Sequence, residues 1–272
     1  YRSFPMERLV KEAEELAEQG VKELILVAQE TTLYGKDIYG EKKLPELLKK
    51  LAKIGGIQWI RVLYCYPEEI TEELIQVMKE EAKICHYLDL PIQHASDRIL
   101  KRMGRRTTQA DLRHIIGRLR EEIPDICLRT TLITGFPGET EADHEALMEF
   151  VNESEFDRLG VFTYSPEEGT PAASFPDQIE NEVAEKWRDD IMALQQEVSY
   201  DKNQELLGKT LTVLIEGYVA EDDVYVGRTY RDAPDVDGMV FVDAPYELMS
   251  GTFVQVRITD ANEYDLTGEM IE

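Results

Sequence analysis

The feature that most constrains the fold is a two-part unit that recurs five times: an amphipathic helical stretch, then a short apolar, β-branched run. In the first unit Met6, Leu9, Val10, Ala13, Leu16 and Ala17 fall at helical spacing behind the start signals Ser3 and Pro5, and Gly20 stops the helix. Residues 21–28 (VKELILVA) follow and read as a strand buried on both faces. The order repeats as helix 44–52 before strand 59–64, and as a helix from Thr71 before 86–90. A helix with Leu112, Ile115, Ile116 and Leu119 precedes 126–134, and a helix capped by Thr140 precedes 158–164. Strands joined through helices need right-handed crossovers and hence a parallel sheet. The expected class is therefore α/β, a partial parallel β/α barrel of the TIM type, with function in the loops at the strands' C-terminal ends. Those loops hold the polar and glycine-bearing stretches 29–32, 67–69, 91–96, 135–139 and 165–170.

Beyond a long helical stretch over 179–206, the period changes at Gly208. Five short alternating segments (210–215, 224–227, 239–242, 253–258 and 264–268) predict a small all-β antiparallel barrel, so the expected domains are 1–207 and 208–272. With 30 basic and 55 acidic residues the net charge is -25, a field that repels nucleic acid and attracts a basic partner. Residues 209–272 carry 4 bases against 14 acids, which makes RNA a poor expected ligand for the second domain. No apolar run nears the ~20 residues a membrane helix needs. Cys65, Cys85 and Cys127 form no CxxC; they read as reduced thiols of a cytoplasmic protein with no metal site, Cys65 and Cys127 acting as small hydrophobes in strand-like runs.

Two segments stand out chemically. Residues 128–140 (LRTTLITGFPGET) run a strand into a glycine turn and a capped helix, which is either a tight turn or a place where backbone approaches a ligand. It is not a phosphate loop, because the GK[ST] ending is absent. Residues 100–106 (LKRMGRR) put four cations beside the 91–96 loop; they are a solvated run or a carboxylate-binding patch. His94 in that loop reads as a packed hydrogen-bonding residue or as a catalyst.

Residues 1–6 (YRSFPM), 26–35 (LVAQETTLYG), 88–96 (LDLPIQHAS), 129–140 and 164–172 (YSPEEGTPA) resemble the radical S-adenosylmethionine (SAM) methylthiotransferases. Residues 228–238 (RTYRDAPDVDG) resemble the branch that modifies an aspartate of ribosomal protein uS12. The resemblance implies a radical SAM barrel followed by a five-stranded TRAM barrel. It also implies SAM and two 4Fe-4S clusters, a reductant, a sulfur donor and a methylthio group placed on an unactivated carbon. The first barrel strand and the CxxxCxxC cluster loop are missing from residues 1–207 by this comparison, so the chain alone is expected to be inactive.

By the same resemblance Gln29 would hold the SAM amino group, Gln93 and Ser96 the ribose, and Gly135, Phe162 and Tyr164 the adenine. Arg106 or Arg129 would meet the SAM carboxylate, and Gly135→Val is expected to weaken SAM binding without unfolding the protein. Asp232, Asp235 and Asp237 are the candidate docking carboxylates for the basic ribosomal protein. Two alternatives stay open: the sister transferases that modify an adenosine of transfer RNA, and a non-catalytic interaction module.

Overall fold

The computed structural model describes residues 1–271. In chain order its first part contains α1 (Met6–Glu18), β1 (Glu23–Leu26), α2 (Lys36–Tyr39), α3 (Leu44–Leu51), β2 (Trp59–Val62), α4 (Glu72–Glu80) and β3 (Ile84–Asp89). Then come α5 (Asp97–Arg102), α6 (Gln109–Glu122), β4 (Cys127–Thr134), α7 (Glu141–Ser154), β5 (Arg158–Thr163) and α8 (Asn181–Gln204). The second part contains β6 (Thr210–Val219), β7 (Val224–Arg228), β8 (Val240–Asp243), β9 (Phe253–Ala261) and β10 (Leu266–Ile271).

Strands β1 to β5 pair in sequence order and all in parallel, as expected of helix-linked strands. Leu24, Ile60, Leu88, Leu128 and Leu132 point to the helical side and share one buried cluster with Leu48, Leu74, Leu112, Leu147 and Ile191. The alternate residues point to the other, helix-free face, where Glu23, Arg61, Asp89, Arg129 and Arg158 place charge in the middle of the sheet beside the Tyr87 phenol. The basic stretch is less loop-like than its composition suggests, since Leu100 and Arg102 lie in α5 and Leu100 is buried.

Strands β6 to β10 close into a barrel in the order β10-β8-β7-β6-β9. Its core is Val213, Ile215, Val240, Val242, Val256, Ile258 and Leu266. It departs from the antiparallel expectation in one place: β10 runs parallel to β8, in the register Leu266↔Val240, because the connection after β8 crosses the barrel through β9.

The loop after β7 joins the two parts. Residues 229–238 lie against the helix-free face at the N-terminal half of the sheet, where Trp59, Cys85, Tyr87 and Cys127 meet Leu214, Tyr230, Ala233 and Phe253. Arg61, fully buried, donates to Glu23 Oε1 at 2.8 Å and to the Tyr230 carbonyl at 2.7 Å. Arg158 donates to Asp232 Oδ1 at 2.5 Å, Arg231 to Asp157 at 2.9 Å, and Arg228 to Glu23 at 2.7 Å. Burial works against the charge on Asp157, but Arg231 and Lys202 outweigh it and hold the carboxyl below its usual value.

Candidate functional site

The parallel arrangement gathers the five polar loops at one end of the sheet, and the helix-free face beneath them is open where the barrel loop stops. At the β1 edge Ile25, Val27 and Gln29 are exposed and line a cavity of about 580 Å³ together with Phe4, Tyr34 and Leu47. Gln29 thus presents its amide to open space. Beside it Glu30 is buried: it accepts from Thr32 N at 2.9 Å and from Tyr66 N at 2.8 Å, and burial raises its pKa despite those bonds. Glu30 holds the loop, which leaves Gln29 to face outward.

Gln93 has φ 72° and bridges to β4, its N–H donating to Thr131 O and its carbonyl accepting from Ile133 N. Its half-buried side chain lies beyond the end of β3. His94 is fully buried; Nδ1 accepts from Ala95 N and Ser96 N, so Nε2 is the donor to Glu139 at 3.1 Å. Glu139 in turn accepts from Phe136 N. This histidine is the hydrogen-bonding residue, tying the 91–96 loop to the glycine turn.

The Ser96 hydroxyl donates to Asp143 Oδ1 at 2.6 Å, so this residue braces the first turn of α7, which Thr140 caps. Burial would raise the Asp143 pKa, but bonds from Ser96, Thr140 and Arg98 hold it at about 2. A depressed carboxyl stabilises the fold above about pH 4, and that contribution is lost as the pH falls through 2. Asp143→Asn is therefore expected to be destabilised at pH 5, with the gap to the parent closing as pH falls from 4 to 2 in chemical denaturation. A constant gap over that range would mean that the bonds do not depend on the carboxylate charge.

Two expectations are corrected at the glycine turn and the basic stretch. Gly135, at φ 75°, leaves no room for a side chain: a Cβ there would sit 2.3 Å from Ala184 Cβ in α8. The glycine is required by helix packing, so Gly135→Val tests folding rather than SAM affinity. Arg102 and Arg105 donate to the Pro137 and Pro91 carbonyls, while exposed Arg106 lines a separate hollow of about 340 Å³ with Pro67, Glu68, Asp111 and His114. Of the two candidate arginines, Arg106 thus lines a different hollow from the face that carries Arg129.

On the helix-free face, alternation along β4 and β5 aligns Arg129, Thr131 and Ile133 beside Arg158, Gly160 and Phe162. The Phe162 ring is 63% exposed, an apolar surface with no cover. Tyr164 is half-buried, its ring edge-on to Phe136 at 5.2 Å. Arg129 donates from Nη1 to Asp89 at 2.9 Å and faces Asp237 with Nε at 3.4 Å. Asp89 also accepts from the N–H of Tyr64, itself held at φ 61°.

A third correction concerns docking. Asp232 is paired with Arg158, and Asp237 accepts from the Tyr87 hydroxyl at 2.7 Å and from Ala233 N; burial raises the Asp237 pKa. Only Asp235 is exposed, so residues 228–238 form an interdomain joint and not an acidic loop. Nothing in the sequence alone distinguished a solvent-facing Asp from one aimed at an arginine 74 residues away.

The available groups fit SAM but not a cluster. An open amide at Gln29 and an uncovered ring at Phe162 suit an adenosyl amino acid. The three cysteines are buried and separate, burial raises all three thiol pKa values, and no described group of three His, Cys, Asp or Glu residues can hold a metal. None of the described helices is long and apolar enough to cross a membrane.

A strand–helix series with its open face at the strands' C-terminal ends defines a parallel β/α class, and the comparisons specify it further. The radical SAM superfamily model matches residues 1–151 and the TRAM domain model residues 207–271. The chain belongs to the radical SAM superfamily and carries a TRAM domain, and membership implies SAM and a 4Fe-4S cluster as cofactors.

More particularly, it is similar to the ribosomal protein uS12 methylthiotransferase RimO of Lachnoclostridium phytofermentans, 62% identical over 98% of this chain and 61% of that protein. The RimO of Acetivibrio thermocellus is 56% identical over 100% of this chain and 60% of its own length. The chain thus spans about three-fifths of these relatives. Among solved structures, coproporphyrinogen III oxidase HemN from Escherichia coli superposes with a TM-score of 0.55 at 17% identity, over 72% of this chain and 46% of that one. Methylornithine synthase PylB gives 0.52 at 16%, over 73% and 54%. At such identities these structures support the fold only.

Proposed function

We propose that these residues are the SAM-binding core and substrate-facing barrel of a methylthiotransferase that places a methylthio group on the β-carbon of an aspartate in ribosomal protein uS12. The similarity to the two RimO proteins carries the reading. SAM supplies the radical and the methyl group when bound; the residues described here bind, orient and exclude water. Gln29 would take the amino group, the Gln93 side chain the ribose, and Phe162 one face of the adenine. Ser96 acts at one remove, since its hydroxyl already serves Asp143. The second cluster, the reductant, the sulfur donor and a cytoplasmic setting beside the small ribosomal subunit belong to the same proposal.

Charge on the barrel favours a protein partner over RNA. Arg228 and Arg231 are buried in the joint, so only Lys209 and Arg257 face solvent there, against nine exposed carboxylates between Glu216 and Glu269. Such a surface repels phosphates and speeds encounter with a cationic protein in a salt-dependent way. The full-length protein is expected to bind uS12 with an on-rate that falls at least several-fold as salt rises, and to add a methylthio mass to its aspartate under anaerobic, cluster-loaded conditions. Mass spectrometry that finds uS12 unmodified and a transfer RNA adenosine methylthiolated would replace this reading with the sister class.

A further inference from the structure

Resting on the reading of an aspartate substrate, we propose that Arg129 receives the carboxylate of that aspartate, and that Asp237 of the barrel loop is its positioning residue. The helix-free face holds several arginines, and they differ in what remains unspent. Arg61, Arg158 and Arg228 have side chains at most 9% exposed, and each is committed to carboxylates and carbonyls of the joint. The Arg129 side chain keeps 21% of its surface. Its Nη1 is given to Asp89 and its Nε lies toward Asp237, but Nη2 donates to no described residue and is not sealed from solvent. A guanidinium fixed on two sides with one N–H group left open is a prepared donor to an incoming carboxylate.

Its position along the strand agrees. Arg129 is level with Asp89 at the end of β3, one residue beyond the last paired positions of β1 and β2, and four residues below Ile133 on the taller β4. At about 3.3 Å per residue it lies roughly 13 Å below that upper edge. Thr131, Ile133 and Phe162 form the wall above it, and the loop carrying Asp237 closes the floor beneath. The carboxylates Glu23, Asp89, Asp232 and Asp237 are matched in number by Arg61, Arg129, Arg158 and Arg228, so the floor is near neutral and recognition depends on the geometry of the open edge. Asp237 comes from the second domain and aims Arg129, while Asp89 ties the same guanidinium to the backbone of Tyr64 at the rim. The TRAM barrel thereby shapes the substrate pocket from below.

Calorimetric titration of the full-length protein with a synthetic peptide of the uS12 target loop, carrying either Asp or Asn at the target position, tests this. The parent is expected to prefer the Asp peptide by about tenfold, as one charge-assisted contact supplies. Arg129→Gln should erase that preference, and Asp237→Asn should reduce it. Should the glutamine variant fail to fold, Arg129→Lys must still lower the preference, because an ammonium lacks the fixed fork. A preference that survives in the variants overturns the proposal, as does a parent that binds both peptides alike. Loss of SAM affinity with the peptide preference intact would give Arg129 to the methionine carboxylate instead. A parent that binds neither peptide would remove uS12 as substrate, and this inference with it.

Discussion

Replacing Asp232 by alanine is expected to destabilise the protein by about 3–5 kcal/mol, the cost of leaving one member of a buried ion pair without its partner. Asp232 is 2% exposed, accepts from Arg158 Nη2 at 2.5 Å and Nε at 3.1 Å, and receives the Thr229 hydroxyl at 2.9 Å. Its removal strands the Arg158 guanidinium, whose side chain is 9% exposed, with only the Asp157 carbonyl left as a bonded acceptor. Removing both charges together, as in Arg158→Met with Asp232→Leu, should cost much less, since no buried charge is then orphaned. Denaturant titration of the single and double variants checks both halves. The single variant should also lose cooperativity between the sheet and the barrel, visible as faster amide exchange in residues 229–238. A loss below about 1 kcal/mol in the single variant would show that the joint is hydrated and that Asp232 behaves as a surface acid.

The second large effect is expected at Gly135. Valine there combines a left-handed φ of 75° with a Cβ 2.3 Å from that of Ala184, and the cost should be about 3–5 kcal/mol. The branched side chain cannot rotate away from a contact made by its Cβ, so α8 must shift off the end of β4. That movement would also break the bond from the Thr134 hydroxyl to the Ala184 carbonyl. Thermal unfolding should show a fall of many degrees, whereas a variant with parental stability and weakened SAM binding would return Gly135 to the ligand site. Pairing the change with Ala184→Gly should recover part of the loss, because one of the two colliding atoms is then absent.

Periodicity alone located every strand of the parallel sheet to within a few residues, because each is an apolar run buried on its helical side by local helices. The same was true of the barrel strands, whose alternation marks an inside and an outside. Parallel pairing, and hence the collection of Gln29, Gln93 and Phe162 at one end, followed from the connections. The long ordered motifs likewise carried the superfamily, since they lie in the loops and strands that frame that end. What escaped was the use made of charged side chains. Asp232 and Asp237 look like surface acids in a turn-rich stretch, Arg61 and Arg158 like polar interruptions in strands, and Gly135 like a ligand-approach glycine. Each is explained by a partner at least 38 residues away: Tyr87 and Arg129 for Asp237, Arg158 for Asp232, Glu23 and Tyr230 for Arg61 and α8 for Gly135. A strand's period reports which face a residue occupies, but burying a charge requires a countercharge whose arrival depends on how the two domains meet. That meeting is a long-range packing event with no local signature, and it is what converts a barrel loop into the floor of the site.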